Sequence, residues 1–383
     1  MRLLLHKFRD ALRSCDKLLL LLCLVTTAFG CLMIASTTNT MGSIRYVLVQ
    51  LLSAFLGVFL YIVISSIDVD FFSEHRRSLV VFNCLLLLML IPFGVRVNGN
   101  RSWLSFPFLP FNIQVAEICK ITYILIMASV MSSRQNKLSS IPSVVHMVAH
   151  LVILVGLNLV LSDDAGVSLI FVFIFIGMAF SGGVNLIWFL LAGGAIVVAW
   201  PFVWNHLIDD YQRLRIEVLF NPNLDPLGTG PRYHTMLSLR SLTGGGLMGQ
   251  GLFQGTRTQS QGALYAQHTD YIFSAIGEEL GYVGCALVLV LLALIIIRCI
   301  WVGVRSQDYM RRLVCFGAAA ALIFQVVSNV GMCMGVTPVI GLTLPFISYG
   351  GSSLVSLFAM LGLVSGVHAR PAPTSHERYI RPY

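Results

Sequence analysis

Long apolar runs separated by charged or turn-forming residues recur along the chain. Their length sets the reading, because a helix needs roughly 20 residues to cross a hydrocarbon core of about 30 Å. About ten such runs are present: Leu18 to Ala35, Tyr46 to Ser66, Leu79 to Phe93, Ile113 to Met131, Val144 to Leu161, Gly166 to Phe180, Val184 to Trp204, Val283 to Ile297, Leu313 to Met334 and Leu344 to Val367. The expected fold is all-α, a polytopic integral membrane protein whose helix boundaries are good to a few residues. A longer polar segment, 205–272, parts the seventh span from the eighth. Nothing in residues 1–383 marks an internal repeat, a low-complexity linker or a second domain. Only the polar tail after His368 is expected to be poorly ordered.

Composition strengthens this picture. Hydrophobic residues make up 57% and charged residues 11%, with a mean hydropathy of +0.83, whereas soluble domains carry roughly a quarter charged residues. A soluble enzyme is excluded. The net charge of +8 reads loop by loop as a topology signal, not as a nucleic-acid partner. Arg2, Lys7, Arg9, Arg13 and Lys17 precede the first span, Arg76 and Arg77 follow the second, and Arg134 and Lys137 follow the fourth. Arg298, Arg305, Arg311 and Arg312 lie between the eighth and ninth, and Arg370, Arg378 and Arg381 follow the tenth. With ten spans all of these fall on one side, so both termini are expected in the cytoplasm. No clear small-residue cleavage site follows the first run, which reads as an anchor. The cysteines Cys23, Cys31, Cys84, Cys119, Cys285, Cys299, Cys315 and Cys333 lie in or beside apolar runs without CxxC spacing. They read as small core residues, with no disulfide framework or structural metal expected.

Candidate chemistry lies where the chain breaks its own apolar rule. Glu117 and Lys120 stand three apart near the start of the fourth span, on one helical face where they can neutralise each other. They are either an ion pair that fastens two helices or an anion and a cation at the floor of an outward cavity. Gly244, Gly245, Gly246, Gly249, Gly251 and Gly255 crowd the outer segment and imply sharp turns or close approach. No Lys-Ser/Thr follows, the spacing fits no nucleotide-binding motif, and a flexible loop is the better reading. Asp270 lies between this loop and an aromatic helix start at Tyr271, Ile272 and Phe273. Partial desolvation there would raise its pKa towards that of a general base; an N-cap for the following helix is the alternative. His268 could tune Asp270 or bind phosphate when protonated. Pro338, Gly341, Pro345 and the run Ser348, Tyr349, Gly350, Gly351, Ser352, Ser353 break the last apolar stretch, which is tolerated at membrane depth only where backbone is buried in protein or lines a cavity. Close helix packing would use the same residues.

These residues resemble the SEDS family, the shape, elongation, division and sporulation proteins that include RodA and FtsW. Asn98, Gly99, Arg101 and Trp103 resemble its loop before the fourth span, and Gln114, Glu117 and Lys120 its Gln-Pro-Ser-Glu-x-x-Lys motif. Tyr211, Gln212, Arg215, Asp225 and Pro226 resemble the start of its large outer loop. His268, Thr269, Asp270, Glu278, Glu279, Leu280 and Gly281 follow its most diagnostic stretch, and Leu344 to Ser353 its closing motif. The chain departs at Val115 and Ala116, at Leu237, and at Ser162, Asp163, Asp164, Ala165, Gly166 and Val167, where only the acid and the glycine of the family's turn remain. Tyr233, His234 and the run Gly255, Thr256, Arg257, Thr258, Gln259 look more like RodA than FtsW.

The resemblance implies an inverting peptidoglycan glycosyltransferase that polymerises lipid II at the outer side of the bacterial cytoplasmic membrane and releases undecaprenyl pyrophosphate. In that reading Asp270 is the general base. Arg101, Lys120 and His268 bind or neutralise pyrophosphate, Glu117 holds Lys120, and Ser348 and Ser352 belong to the substrate site. Mg2+ or Mn2+ would assist the leaving group, but no compact set of acidic or histidine ligands offers a dedicated cage. The implied partner is a class B penicillin-binding protein, beside membrane lipids and no nucleic acid. Alternatives are a division-specific FtsW-like polymerase, a lipid II flippase and a scaffold without catalysis.

Overall fold

The computed structural model describes residues 12, 14–97, 100–107, 109–206, 208–225, 230, 232–260 and 264–370. Arg2, Lys7, Arg9, Arg13, Asn98, Gly99, Pro226, Arg378, Arg381 and the tail beyond Arg370 lie outside the described residues. Among those described, nine helices are long and apolar enough to cross a membrane, and Ala165–Ser181 is apolar but shorter. The chain is a multi-pass helical membrane protein.

The elements run α1 (Lys17–Thr37), α2 (Arg45–Ser65), α3 (Val69–Glu74), α4 (Arg76–Leu88), α5 (Leu90–Phe93), β1 (Gly94–Val97), β2 (Asn100–Leu104), β3 (Ile113–Gln114), α6 (Val115–Ser132), α7 (Ile141–Ser162), α8 (Ala165–Ser181), α9 (Leu186–His206), α10 (Asp210–Phe220), α11 (Tyr233–Gly244), α12 (Ile272–Arg305), α13 (Tyr309–Cys333) and α14 (Gly351–Ala369). The segment between α5 and α6, read as a plain loop, forms a small antiparallel sheet in the order β1-β2-β3. Its strands are two to five residues long, too short for the alternating pattern that would have revealed them.

Two spans differ from expectation for a backbone reason. The eighth begins at Ile272 instead of Val283 and runs 34 residues, broken inside by Gly281 at φ 66° and ψ −163°. A glycine tolerates that conformation, and the apolar score sees only the part beyond it. The last begins at Gly351 instead of Leu344, because Pro345 and the left-handed Phe346 (φ 64°) hold 344–350 out of helix.

The bundle closes on small residues. An added Cβ at Gly57 would fall 2.6 Å from the Phe358 ring, and one at Gly362 2.9 Å from the Tyr61 carbonyl oxygen, so α2 and α14 meet at backbone distance. α13 fits between α6 and α8, with Gly317 against Ile124 and Met178 and Gly177 against Ala320. By contrast, α9 buries none of its residues.

Several arginines read from sequence as loop charges are structural. Arg298 lies inside α12 and bonds Asp16 through two nitrogens at 2.8 and 3.1 Å. Asp16 is 1% exposed and also caps α1 through Leu19 N–H. Arg311, equally buried, pairs with Asp68 at 3.1 Å and Asp70 at 2.8 Å, tying α3 to the start of α13. Removing one partner of such a pair leaves a buried charge uncompensated.

The glycine-rich stretch is packed, contrary to the flexible loop expected. The break at Gly281 frees the carbonyls of Glu278 and Glu279, which accept the N–H groups of Gln250 and Gly251, each at 2.9 Å. Both glutamate side chains are fully buried. Glu278 accepts the N–H groups of Arg257 (2.8 Å) and Thr258 (3.1 Å). Glu279 takes the Thr258 hydroxyl at 2.8 Å, Gln259 Nε2 at 3.0 Å and the Ser36 hydroxyl at 2.5 Å. The glycines let 244–260 approach this break: a Cβ at Gly249, where φ is +81°, would lie 2.1 Å from the Glu279 carbonyl oxygen. Gly249→Ala is therefore expected to cost about 2–4 kcal/mol, read as a lowered thermal midpoint in detergent. Gly156→Ala, with open space around it, leaves the midpoint unchanged or raised; equal effects of the two would refute this packing.

Candidate functional site

Three broken segments converge at one end of the bundle: 264–271 before α12, 335–350 between α13 and α14, and the turn between α7 and α8. Asn329, an amide inside apolar α13, donates through Nδ2 to the carbonyls of Asp270 (2.8 Å) and Leu342 (2.7 Å). Ser348 donates to the Thr269 carbonyl at 2.6 Å and accepts Leu344 N–H at 2.8 Å. Tyr349 N–H reaches the His268 carbonyl at 2.8 Å, and Gln50 from α2 holds Ser348 O and Gly350 N–H, both at 3.2 Å. Every one of these bonds satisfies backbone that a helix would have satisfied itself.

The clamp fixes Asp270. Its carboxylate Oδ2 lies 3.6 Å from where a Cβ on Gly341 would stand, an ordinary contact distance, and Gly341 itself takes φ +73°. Among the described residues no hydrogen bond or ion pair reaches the carboxylate, and α12 has no side-chain cap at its N-terminus, which removes the capping alternative. The side chain is half-buried, and burial pushes its carboxyl up to about 6.

His268 packs against Tyr46 at 5.0 Å and Tyr349 at 5.7 Å between ring centroids. Burial lowers its pKa, and among the described residues its buried Nδ1 has no partner.

A second group lies where α6 meets α14. Lys120 Nζ is 2.9 Å from Glu117 Oε1 and both side chains are buried; the Ser356 hydroxyl donates to the other Glu117 oxygen. Ser352 accepts Gln114 N–H at 3.0 Å. The Lys120 charge is thus already matched. The segment 344–353 runs from the Asp270 group to this one, so Ser348 and Ser352 act on the protein's own backbone at either end of it. Arg101 joins neither group: its guanidinium donates to the carbonyls of Gly94 (3.3 Å) and Ile91.

The divergent turn retains a role. Asp163 is left-handed (φ 55°), and Asp164 caps α8 through Val167 N–H at 3.1 Å. Burial chiefly, and the Glu117 charge less, push the Asp164 carboxyl up. Gly166 lies against Ile340, where a Cβ would come within 2.4 Å of its Cγ2, so this turn supports the strip carrying Gly341. No three His, Cys, Asp or Glu side chains gather among the described residues. The described residues offer no such cage for Mg2+ or Mn2+.

The sequence reading missed Asn329 and Gln50, although polar amides inside apolar spans are the signal that would have found them. It also passed over Arg232, which with Arg215 lines a pocket beside this site.

The raised carboxyl makes a stability prediction. Between about pH 4 and 6 folded Asp270 keeps a proton that the unfolded chain gives up, so this group's contribution to stability falls as pH rises through that window. Asp270→Asn should unfold at a higher temperature than wild type at pH 8, by roughly 1–3 kcal/mol, with the gap closing at pH 4. A gap independent of pH would contradict the desolvated carboxyl.

Known proteins supply the family. Residues 16–372 match the model of the FtsW, RodA and SpoVE group, described as "Cell cycle protein". The chain is 33% identical over 317 residues to the peptidoglycan glycosyltransferase MrdB of Escherichia coli K12, covering 82% of this chain and 83% of that one. It is 34% identical over 371 residues to a probable peptidoglycan glycosyltransferase FtsW of Trichlorobacter lovleyi, covering 93% and 94%. A chain from a solved peptidoglycan synthase complex, described as coordinating polymerization and crosslinking, superposes with a TM-score of 0.78 at 28% identity over 96% of this chain and 99% of that one. With these matches spanning nearly its whole length, the chain belongs to the SEDS family of FtsW, RodA and SpoVE proteins.

Proposed function

We propose that this protein is a peptidoglycan glycosyltransferase that polymerises lipid II, with Asp270 as its general base. The observation that carries the reading is the Asp270 carboxylate: half-buried, without a partner among the described residues, raised to about 6 and fixed by bonds to its own backbone and its neighbours'. At neutral pH it is ionised yet basic enough to take a proton.

In the proposed step the acceptor sugar's 4-hydroxyl gives its proton to Asp270 as its oxygen bonds the donor's anomeric carbon. The bond from that carbon to the diphosphate breaks, and the diphosphate leaves with the electron pair. Attack opposite an α-linked diphosphate yields a β-linkage. The leaving group is already a stable anion and needs no carboxylic acid to protonate it.

The segment 205–272 is read as facing the outer side of the cytoplasmic membrane, with both termini in the cytoplasm. The buried pairs Asp16–Arg298 and Arg311 with Asp68 and Asp70 tie helices at the ends read as cytoplasmic. That favours a site open to one side over a flippase, which must open to both. Tyr233, His234 and the run 255–259 favour an elongation role of the RodA kind, and relatives under both names are consistent with the shared chemistry. A class B penicillin-binding protein is the proposed partner, since the structural neighbour belongs to a complex that couples polymerisation to crosslinking.

Purified protein with that partner should convert lipid II to polymer, with a rate falling about tenfold per pH unit below about 6 as Asp270 takes up a proton. Asp270→Asn should lower the rate at least about 1,000-fold while remaining folded. Polymer at the wild-type rate from Asp270→Asn would move the base elsewhere.

A further inference from the structure

Leu247 and Met248 are unusual residues for the tip of a turn. They stand between left-handed Gly246 (φ +56°) and Gly249 (φ +81°), and their side chains are 73% and 79% exposed. Apolar side chains grouped at a surface mark a place where another apolar surface is met.

The turn is not free to fold them away. Tyr282 N–H donates to the Gly246 carbonyl at 3.0 Å and Val283 N–H to the Leu247 carbonyl at 3.2 Å, so the turn is fastened to α12 just past its break. A Cβ at Gly281 would lie 2.5 Å from the Leu247 carbonyl oxygen, which puts backbone directly on backbone. Leu247 and Met248 are therefore held at the level of Tyr282 and Val283.

That level can be placed against a membrane. From Tyr282 α12 runs unbroken to Arg305, and no charged residue intervenes between Glu279 and Arg298. Trp301 follows Tyr282 by 19 residues, roughly 28 Å of helix at about 1.5 Å per residue, close to the thickness of a hydrocarbon core of about 30 Å. Arg298 and Arg305 stack on the Trp301 ring at 4.2 and 4.0 Å, while Tyr282 at the other end is exposed. Aromatic residues at the two ends of an uncharged stretch mark the two membrane surfaces. Between them Val283, Leu287, Val290, Leu294 and Ile297 recur every three or four residues as one exposed apolar face. Tyr282 thus marks the membrane boundary at the end that carries the segment 205–272.

We propose that the turn 246–248 dips into the lipid leaflet beside α12, seating Leu247 and Met248 among the acyl chains just below the headgroups. Depth selects the occupant: side chains fixed at this boundary and pointing away from the protein meet lipid without any further partner. The glycines on either side carry no side chain that could shield them. The inserted turn then braces from the membrane the glycine-rich stretch that Glu278 and Glu279 hold from within. The inference does not depend on the polymerase reading.

The test uses full-length protein alone in lipid nanodiscs, with tryptophan fluorescence as the reporter and the wild-type signal of the five native tryptophans subtracted. The added emission of Met248→Trp should be blue-shifted and shielded from acrylamide. It should be quenched strongly by phospholipid brominated near the headgroup end of the acyl chains and weakly by phospholipid brominated near their far end. Val290→Trp, eight residues further along the same helix, should show the reverse order of the two lipids. Red-shifted emission open to acrylamide and untouched by either lipid overturns the proposal, because the turn then stands in water. Shielding from acrylamide without quenching by lipid also overturns it, because protein then covers the turn. Leu247→Trp is the second variant, read in the same way if Met248→Trp fails to fold.

Discussion

Backbone that leaves helix inside a membrane protein must find its hydrogen bonds within the protein, and the whole active end of this molecule follows from how that is met. The chain breaks at Gly281 and again across 334–350, and at each break buried polar side chains take over the helix's work. Glu278 and Glu279 receive the glycine-rich stretch, while Asn329, Ser348 and Gln50 receive the segments around Asp270 and Tyr349. An unsatisfied buried group costs about 1–3 kcal/mol, so these side chains are not interchangeable with apolar ones of similar size. Asp270 is the acid left over: held in place through its backbone, its own carboxylate free of protein partners among the described residues.

This division of labour sorts the charged residues. Asp16, Arg298, Arg311, Glu117, Lys120, Glu278 and Glu279 are paired or saturated with hydrogen bonds. Asp270 is desolvated without compensation, the arrangement expected of a group whose chemistry is to exchange a proton. Arg215 and Arg232 line a separate pocket with Val218, Leu219 and Leu239.

The helical architecture was legible because apolar runs of membrane length leave little choice of fold. Ala165–Ser181 and Lys17–Thr37 fall within a few residues of the runs that announced them. Helix starts at breaks were not legible: hydropathy cannot see that Gly281 interrupts α12 without ending it, or that Phe346 turns left-handed. Asp270 stood out by its setting between glycines and aromatics. The Glu117–Lys120 pair was legible from its spacing, but the Ser356 bond to Glu117 and the partners of Arg101 and Ser348 were hidden, because each depends on residues from another segment, such as Ile91 and Thr269. Nor could glycine density say whether the close approach was to a ligand or, as found, to the protein's own broken helix.

The central claim is that the Asn329 clamp places Asp270 for proton transfer. Its most direct test is lipid II polymerisation by purified Asn329→Ala at saturating substrate, beside wild type. The account predicts a maximal rate about 100-fold lower, with lipid II affinity preserved and the protein still folded. A wild-type rate from Asn329→Ala would contradict it.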